Sequence, residues 1–367
     1  MRLSIPAETV ANERRVALVP DAVARLAKTG LEIVVQRGAG VRAGFTDDAY
    51  AAAGATLVDG AAVLDGAQLV LKVQPPSAEE AARIPAGSTV VSLLQPSANA
   101  AIIEQLSARG VTALALELVP RITRAQSMDV LSSQSTVAGY KAVLVGASAL
   151  GKLLPMLTTA AGTLVPARVF VLGAGVAGLQ AIATARRLGA VVSAFDVRPA
   201  AREQVQSLGA SFVAADLVTA GAEAAGGYAR AQTADEQART QEALAAHLRE
   251  VDLVITTAQI PGRPAPRLIT AAMVAGMKPG AVIVDLAAES GGNCELTRAG
   301  EHVEANGVLI VGPVNIAATV PTHASQMFSK NVETLVRHLV KDGALVLDLD
   351  DEITKAMVVT KTAPVTA

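Results

Sequence analysis

The segment RVFVLGAGVAGLQAIATARRLGA occupies residues 168–190 and decides the fold. A run of β-branched and apolar residues ends at a glycine-rich turn, and an alanine-rich run follows that turn directly. This order predicts a β-strand, a tight turn and an α-helix. The next strand-like run, VVSAFD, ends at Asp196, roughly 20 residues beyond the turn, which is the spacing typical of a dinucleotide-binding βαβ unit.

The turn consists of Gly173-Ala174-Gly175-Val176-Ala177-Gly178. Gly173 permits the tight turn, Gly175 lets the backbone approach a pyrophosphate, and Gly178 lets the helix pack closely on the sheet. Val176 and Ala177 stand at the start of the helix, where free N–H groups and a partial positive charge stabilise an anion. The motif therefore predicts a pyrophosphate site. A glycine-rich turn without a ligand is the alternative.

The end of the second strand bears on the choice of nucleotide. Asp196 can accept hydrogen bonds from both ribose hydroxyls and would repel a 2′-phosphate, so NAD(H) is predicted rather than NADP(H). Val197 and Arg198 follow in the run FDVRP. An arginine at this place can accommodate a 2′-phosphate in some enzymes, but here the carboxylate occupies the discriminating position.

Strand-like and helical runs alternate along the whole chain, which predicts α/β architecture with largely parallel sheets. A chain of 367 residues exceeds the usual size of a single core, so two domains are expected. We predict two Rossmann-like, doubly wound domains joined by two long connecting helices, with an interdomain cleft. The first domain comprises residues 1–131 and 325–367, and the NAD(H)-binding domain comprises residues 132–324.

The segments that connect or follow the two domains give further predictions. Residues 132–154 and 325–341 are predicted to form the two connecting helices. The strand-like tail ALVLDLDDEITKAMVVT is expected to rejoin the first domain. The loop at residues 219–237 is long and rich in small residues, and it carries Tyr228 after a glycine pair. Such loops are functional or disordered, so a mobile flap that closes on the nucleotide and a merely floppy connection are both open.

Composition excludes several kinds of function. With 31 basic and 33 acidic residues the formal charge is −2, so nucleic acid is not expected as a partner. Cys294 is the single cysteine, which leaves neither an internal disulfide nor a thiolate zinc cluster possible. The four histidines are scattered without ligand spacing, and no metal site is predicted.

Two apolar stretches, residues 142–157 and 169–185, approach the length of about 20 residues that a membrane span requires. Lys152 and Pro155 interrupt the first, and glycines interrupt the second, so both are predicted to be buried elements of a soluble protein. The start of the chain lacks the apolar region of a signal peptide. We therefore expect a cytoplasmic location.

A polar segment, PRITRAQSMDVLSSQ at residues 120–134, follows the last predicted strand of the first domain and should face the cleft. Arg121 can bind a pyrophosphate or carboxamide in a fork, Asp129 can hold that arginine, and Gln126 can donate and accept together. These groups position a ligand and do not transfer protons. An ordinary loop with a structural Arg121–Asp129 ion pair is the alternative.

Together these motifs resemble the soluble NAD(H)-binding subunits of proton-translocating NAD(P) transhydrogenases, within the alanine dehydrogenase and transhydrogenase family. The resemblance covers essentially the whole chain. The arginine, glutamine and aspartate of the family's signature loop match Arg121, Gln126 and Asp129. Other matching segments are GAGVAGLQAIATARRLGA, FDVRP, GGYA, TTAQIPGRPAP and VIVDLAAESGGNCE.

The resemblance implies roles for individual residues. Arg121, Asp129 and Ser132 would hold the nicotinamide end of NADH, Gln126 would reach toward the nicotinamide of NADP⁺, and Tyr228 would cover bound NADH. Arg121, Gln126 and Asp129 are the expected catalytic residues. The expected NAD(H)-binding residues are Arg121, Gln126, Asp129, Ser132, Gly173, Gly175, Val176, Ala177, Gly178, Asp196, Val197, Arg198, Tyr228, Thr257 and Ala258.

Alanine dehydrogenase is the alternative, an amino-acid dehydrogenase similar in fold and in several motifs. Its arginine near the N-terminus and its lysine after an early strand match Arg15 and Lys72. It also needs a histidine acid/base and an aspartate, where this chain has Gln95 and Asn315. Losing such an imidazole costs about 10²–10⁴-fold in rate, so alanine oxidation is not predicted. Arg15 and Lys72 are then structural or vestigial, or they retain a role.

Without a small substrate, the resemblance implies hydride transfer to NADP⁺ on a separate subunit, which requires the two C4 atoms about 3–3.5 Å apart. In this family the driving energy comes from proton movement through membrane-spanning helices. The resemblance therefore implies membrane-spanning and NADP(H)-binding partner subunits, a homodimer, and a peripheral position on the cytoplasmic face of the inner membrane. A non-catalytic nucleotide sensor or scaffold is the third hypothesis.

Overall fold

The computed structural model describes residues 1–214, 233–260 and 263–360. The chain divides into two compact units. Unit 1 contains Met1–Gln134 and the chain from Ala317 onward, and unit 2 contains Ser135–Ile316. The chain passes from unit 1 to unit 2 after Gln134 and returns to unit 1 after Ile316. The predicted boundaries, after residues 131 and 324, lie close to the first of these points and beyond the second.

Two parallel sheets form the centres of the two units. In chain order the strands are β1 Arg2–Ile5, β2 Glu32–Gln36, β3 Thr56–Val58, β4 Leu69–Leu71, β5 Thr89–Ser92, β6 Thr112–Ala115, β7 Leu157–Thr159, β8 Gly162–Leu164, β9 Arg168–Leu172, β10 Val191–Phe195, β11 Ser211–Phe212, β12 Leu253–Thr256, β13 Val282–Asp285, β14 His302–Ala305, β15 Val308–Val311, β16 Val340–Lys341 and β17 Ala344–Leu345.

The strand order is that of doubly wound sheets. Unit 1 has the order β3-β2-β1-β4-β5-β6, and all its neighbouring strands are parallel. Unit 2 has the order β11-β10-β9-β12-β13-β15-β14, in which only β14 is antiparallel to its neighbour. In both sheets the order reverses beside the first strand, as in dinucleotide-binding folds. The predicted fold class, two doubly wound parallel-sheet domains, is confirmed.

The helices cover these sheets. In chain order they are α1 Pro20–Ala27, α2 Asp47–Ala52, α3 Ala78–Arg83, α4 Ala100–Ala108, α5 Val130–Ala149, α6 Val176–Arg187, α7 Pro199–Ser207, α8 Ala234–Leu248, α9 Ala271–Ala275, α10 Pro321–Leu339 and α11 Glu352–Met357. Almost all residues of four central strands are buried, namely those of β5, β9, β12 and β13. Their apolar residues follow one another without alternating with polar ones, as is typical of parallel strands that are buried on both faces.

Both segments predicted to be connecting helices form helices with shifted ends, but the division into units bears out a connecting role for α5 and not for α10. Helix α5 begins in unit 1, ends in unit 2 and stops at Ala149, short of the predicted end at 154, ahead of Gly151 and Pro155. Helix α10 begins at Pro321, earlier than predicted, with proline in the first turn, where its missing N–H costs nothing. By its contacts α10 belongs to unit 1.

The tail was predicted to be strand-like, and this prediction is wrong for its second half. After the short β16–β17 hairpin, residues 352–357 form α11. Asp351 caps this helix, because its side chain accepts a hydrogen bond from the Thr354 backbone N–H at 2.9 Å. Ile353 and Met357, four residues apart, are both fully buried in the core of unit 1.

The predicted loop at 219–237 lies largely outside the described residues, and so does Tyr228. Its last residues begin α8, where Thr233 and Glu236 form a reciprocal capping box. In the described regions of the chain, no helix is long and apolar enough to cross a bilayer.

Candidate nucleotide-binding site

The glycine-rich turn of unit 2 joins β9 to α6. Gly173 has a φ of 94°, a backbone conformation that favours glycine, and its N–H donates to the Phe195 carbonyl of β10 at 2.9 Å. A hydrogen bond from the Thr257 hydroxyl to the Gly173 carbonyl, at 3.0 Å, connects the turn to the end of β12. The turn is therefore fixed from both neighbouring strands.

The other two glycines occupy different surroundings. A Cβ atom at Gly178 would overlap the carbonyl oxygen of Gly173, so this position demands glycine for packing. Among the described residues, the nearest atom that a Cβ at Gly175 would meet is Nη2 of Arg198, at 4.0 Å. Space therefore lies in front of Gly175, where the backbone can approach a ligand.

Helix α6 begins immediately after this space. Gly175 is its N-cap residue, and no side chain of the described residues caps the helix there, so the first N–H groups, including those of Val176 and Ala177, can donate to an anion. They point out of a helix end that carries partial positive charge. These observations fit the pyrophosphate of a dinucleotide.

Asp196 lies at the end of β10, and its carboxylate is buried to 6% exposure. Its Oδ2 accepts from the Ala174 N–H at 2.7 Å and from Arg198 Nη2 at 2.8 Å. Its Oδ1 accepts from the Arg198 backbone N–H and Nε, both at 2.9 Å. Val197 is half-buried between these two charged residues. The structure thus brings Asp196 directly beside the glycine-rich turn.

Residues that the sequence did not single out hold the loop after β12. The Asn293 side chain accepts from the Ala258 N–H at 3.0 Å and donates to the Ala258 and Pro266 carbonyls, both at 2.8 Å. This amide satisfies both backbone groups of Ala258 at once. Thr257 and Ala258, two expected nucleotide-binding residues, are therefore held in place through Asn293.

Asn293 is itself held by a buried aspartate. Asp285, fully buried at the end of β13, accepts from the backbone N–H groups of Asn293 and Cys294 at 2.7 and 3.0 Å. It also accepts from the hydroxyls of Thr256 and Thr297, both at 2.7 Å. These hydrogen bonds offset the cost of burying the carboxylate. The segment VIVDLAAESGGNCE contains Asp285 and Asn293, but only the fold shows which group each one contacts.

A further residue that the sequence did not single out, Gly139, lies on α5. A Cβ at Gly139 would overlap the Ala177 carbonyl oxygen and would lie 2.8 Å from its carbonyl carbon. Helix α5 therefore packs backbone against backbone on the first turn of α6. Glycine in a helix interior costs about 1 kcal/mol relative to alanine, and this close approach is the reason to keep it.

The polar segment at residues 120–134 lies in unit 1 and contains a short 3₁₀ helix, Thr123–Met128. Nε of Arg121 lies 3.9 Å from Oδ2 of Asp129. The Asp129 carboxylate also accepts from the N–H and hydroxyl of Ser132, at 2.9 and 2.6 Å, and so caps α5. Gln126 and Arg121 are exposed. The structure brings Arg121, Asp129 and Ser132 together and leaves Gln126 at the surface of unit 1.

Arg15 and Lys72 are both buried and paired with carboxylates. Arg15 forms an ion pair with Glu13 at 2.7 Å and donates to Gln134 at 2.8 Å. Lys72 Nζ lies 2.8 Å from Glu80 and 3.7 Å from Glu8. Burial raises the pKa of Glu8 to about 7, although the Lys72 ammonium acts in the opposite direction.

Gln95 and Asn315 share an unusual backbone. Both have positive φ angles, 47° and 46°, a conformation that is uncommon outside glycine and found at functional sites and turns. The Glu117 carboxylate holds the first turn, because it accepts from the N–H groups of Leu94, at 3.1 Å, and of Gln95. Burial raises the pKa of Glu117. The Asn315 N–H donates to Glu289 at 3.1 Å.

The two doubly wound sheets, with the glycine-rich turn and Asp196 in one of them, define a two-domain dinucleotide-binding protein of Rossmann type. The model of the alanine dehydrogenase/PNT N-terminal domain matches residues 4–138, and that of the C-terminal domain matches residues 142–367. The chain belongs to the alanine dehydrogenase/PNT family, as its sequence motifs predicted. This family includes NAD(H)-binding proteins.

Individual relatives include both kinds of protein in the family name. The chain is 49% identical to an NAD(P) transhydrogenase alpha subunit of Rhodospirillum rubrum, over 98% of this chain and 96% of that one. It is 33% identical to an alanine dehydrogenase of Halomonas elongata, over 94% and 88%. A solved transhydrogenase structure from Sinorhizobium meliloti superposes with a TM-score of 0.90 at 46% identity, covering 99% of both chains.

Proposed function

We propose that this chain is the NAD(H)-binding subunit of a proton-translocating NAD(P) transhydrogenase, in which hydride passes directly between NADH held here and NADP⁺ held by a partner subunit. The observation that carries the proposal is the combination of a complete dinucleotide turn with Gln95 at the place of a general acid/base. The higher identity to transhydrogenase subunits than to alanine dehydrogenase supports it.

Unit 2 supplies the groups for the adenosine and pyrophosphate of NAD(H). Gly175 leaves room for the pyrophosphate, and the free N–H groups at the start of α6 stabilise its charge. Asp196 provides the acceptors for the ribose hydroxyls. Thr257 and Ala258, held by Asn293, form the neighbouring wall of the site.

The signature segment of unit 1 supplies the groups for the nicotinamide end. Asp129 fixes Ser132 through two hydrogen bonds and lies within ion-pair distance of Arg121. Arg121 then presents a fork of donors in a defined direction. Exposed Gln126 can both donate and accept, which suits contact with the second nicotinamide.

Bound NADH would supply the hydride, and its transfer to another nicotinamide moves no proton. The task of this chain is therefore to orient the donor, which can contribute several kcal/mol to catalysis through proximity alone. Gln95 cannot protonate a carbonyl or imine near neutral pH. Glu117, whose pKa is raised by burial, uses its carboxylate to hold backbone N–H groups at this turn.

We further propose that partner subunits bind NADP(H) and carry protons across the membrane, with the present chain acting as a homodimer on the cytoplasmic face. The words "subunit alpha" in the name of the Rhodospirillum rubrum relative support the existence of partners. Tyr228 is proposed to cover bound NADH when the partner docks, because exclusion of water favours hydride transfer.

The test is hydride exchange in a reconstituted system. The purified chain is mixed with an NADP(H)-binding partner domain, and transfer from NADH to an oxidised NAD analogue is followed by absorbance. Exchange that depends on both proteins is expected. Turnover of alanine with NAD⁺ by this chain alone would instead favour the alanine dehydrogenase alternative.

A single substitution tests the role of the signature segment. Gln126→Leu is expected to lower the hydride exchange rate by at least about tenfold while changing the Kd for NADH by less than about threefold. Gln204→Leu, at another exposed position, on α7, is the control. If Gln126→Leu weakened NADH binding and left the rate at saturation unchanged, the proposed contact with the second nicotinamide would be wrong.

A further inference from the structure

The Asp196 carboxylate is fully engaged by donors of its own unit. Four hydrogen bonds reach its two oxygens, two at each, and all are 2.7–2.9 Å long. One comes from the Ala174 N–H and the other three come from Arg198. An ionised carboxylate offers about four lone-pair sites. Every one of these sites therefore has a donor.

A ribose diol needs some of these sites. To bind NAD(H), Asp196 must accept hydrogen bonds from the ribose hydroxyls, and at least some of its present donors must leave. The Ala174 N–H belongs to the glycine-rich turn, and the Arg198 N–H belongs to the backbone. Only the guanidinium of Arg198, which contributes Nε and Nη2, sits on a flexible side chain. It is thus the group that the ribose displaces.

Moving the guanidinium away from Asp196 breaks an ion pair that is largely buried. The side chains of Arg198 and Asp196 are only 17% and 6% exposed, so their ion pair is better shielded from water than a surface pair. Its Nη2 also lies 4.0 Å from the position a Cβ would take on Gly175. A displaced guanidinium would start beside Asp196 and Gly175, and a 2′-phosphate on a ribose held by Asp196 would lie within its reach.

We propose that Arg198 is a specificity-determining residue that competes with the adenosine ribose for Asp196. The inference rests on the proposed function, in which unit 2 binds NAD(H), and it deepens that function. When NAD(H) binds, its ribose must displace the Arg198 guanidinium from the Asp196 carboxylate. This loss of the ion pair weakens the affinity for NAD(H). For NADP(H), the released guanidinium pairs with the 2′-phosphate and offsets repulsion from Asp196. Arg198 therefore reduces the ratio of the affinity for NAD(H) to the affinity for NADP(H).

The proposal predicts opposite effects on the two nucleotides. Kd values for NADH and NADPH are measured by isothermal titration on the full chain and on Arg198→Ala, Arg198→Lys and Arg202→Ala. Arg198→Ala is expected to bind NADH about three- to tenfold more tightly and NADPH at least about threefold more weakly. Arg198→Lys keeps the charge without the fork and should lie between. Arg202, exposed one turn further along α7, controls for loss of charge and should change neither Kd.

The outcomes separate the two proposals. Weaker or unchanged NADH binding in Arg198→Ala would overturn the competition, as would an unchanged ratio of the two Kd values. Equal changes in Arg202→Ala would also overturn it, because a general effect of charge would then explain them. Failure of the wild-type chain to bind NADH at all would overturn the proposed function itself. A thermal midpoint for Arg198→Ala equal to that of Arg202→Ala shows that folding does not account for the changes.

Discussion

The Nζ atom of Lys72 lies 2.8 Å from Oε1 of Glu80, and both side chains are largely buried. Glu80 also completes the capping box of α3, because its Oε2 accepts from the Ser77 N–H at 2.7 Å. One carboxylate therefore fixes the start of a helix and neutralises a buried ammonium. This pairing gives Lys72 a structural role in unit 1, whichever reaction the protein catalyses.

Glu8, the second carboxylate near Lys72, makes stability depend on pH. Burial raises its pKa to about 7, so between about pH 4.5 and 7 the folded state holds a proton that the unfolded state has released. Its contribution to stability is fully present below about pH 4.5 and is lost as the pH rises through 7. We expect the free energy of unfolding of the wild type, relative to Glu8→Gln, to fall by roughly 2–3 kcal/mol between pH 5 and 8.

Urea denaturation of both proteins across this pH range measures the difference. Glu79→Gln, an exposed position on α3, is the matched control and should track the wild type. A constant difference between wild type and Glu8→Gln would show that Glu8 is ionised throughout this range.

Alanine substitutions of the two glycines around the start of α6 are expected to have different effects on stability and on NADH binding. In Gly178→Ala the new Cβ overlaps the Gly173 carbonyl, so we expect a loss of at least about 2 kcal/mol in stability together with loss of NADH binding. In Gly175→Ala the described residues leave room for the Cβ, so stability should fall by less than about 1 kcal/mol. NADH binding should nevertheless weaken at least tenfold.

Thermal unfolding and NADH titration of the two variants distinguish these outcomes. Normal NADH binding by a stable Gly175→Ala protein would place the pyrophosphate elsewhere than the glycine-rich turn.

Much of unit 2 is predictable because its information is local. The continuous β-branched run of β9 predicts a buried strand, and the glycine spacing after it predicts the turn with Gly173 at positive φ. Asp196 follows from its distance along the sequence. In contrast, the sequences of β1 and β3 of unit 1, RLSI and TLV, contain no continuous apolar run of that length. The β7–β8 hairpin, with LTT and GTL, was missed for the same reason.

The supporting residues of the site were not predictable in this way. Asn293 meets Ala258, and Gly139 meets Ala177, only because the fold brings together segments more than 30 residues apart. Nothing in a single sequence marks an asparagine as the partner of a particular backbone amide. A glycine within a helix signals a close approach, but the sequence does not say what approaches.

Gly139 yields a prediction about the pyrophosphate turn. Alanine at this position improves helix propensity, but its Cβ overlaps the Ala177 carbonyl, so the first turn of α6 must shift. We expect Gly139→Ala to weaken binding of NADH and ADP-ribose about tenfold or more and to leave adenosine binding within about threefold. Direct titration measures the Kd for NADH, and competition titrations against NADH measure the Kd values for ADP-ribose and adenosine.

Gly151→Ala is the matched control, because no atom of residues 1–214, 233–260 and 263–360 lies within 4 Å of its added Cβ. Equal weakening of adenosine and ADP-ribose in Gly139→Ala would indicate a general loss of structure and would contradict a specific role at the turn.

Glu117 provides the test of whether any proton transfer takes place beside Gln95. The carboxylate accepts hydrogen bonds from the Leu94 and Gln95 N–H groups, and an amide in its place can accept only with its single oxygen. Glu117→Gln should therefore lower the free energy of unfolding by about 1 kcal/mol. Because hydride transfer needs no acid or base, the exchange rate at saturating nucleotide and its pH profile should match the wild type between pH 6 and 9. A loss of about 10²-fold or more at neutral pH, in protein that remains folded, would mean that Glu117 acts as a general acid/base and would contradict a transfer step that needs neither acid nor base.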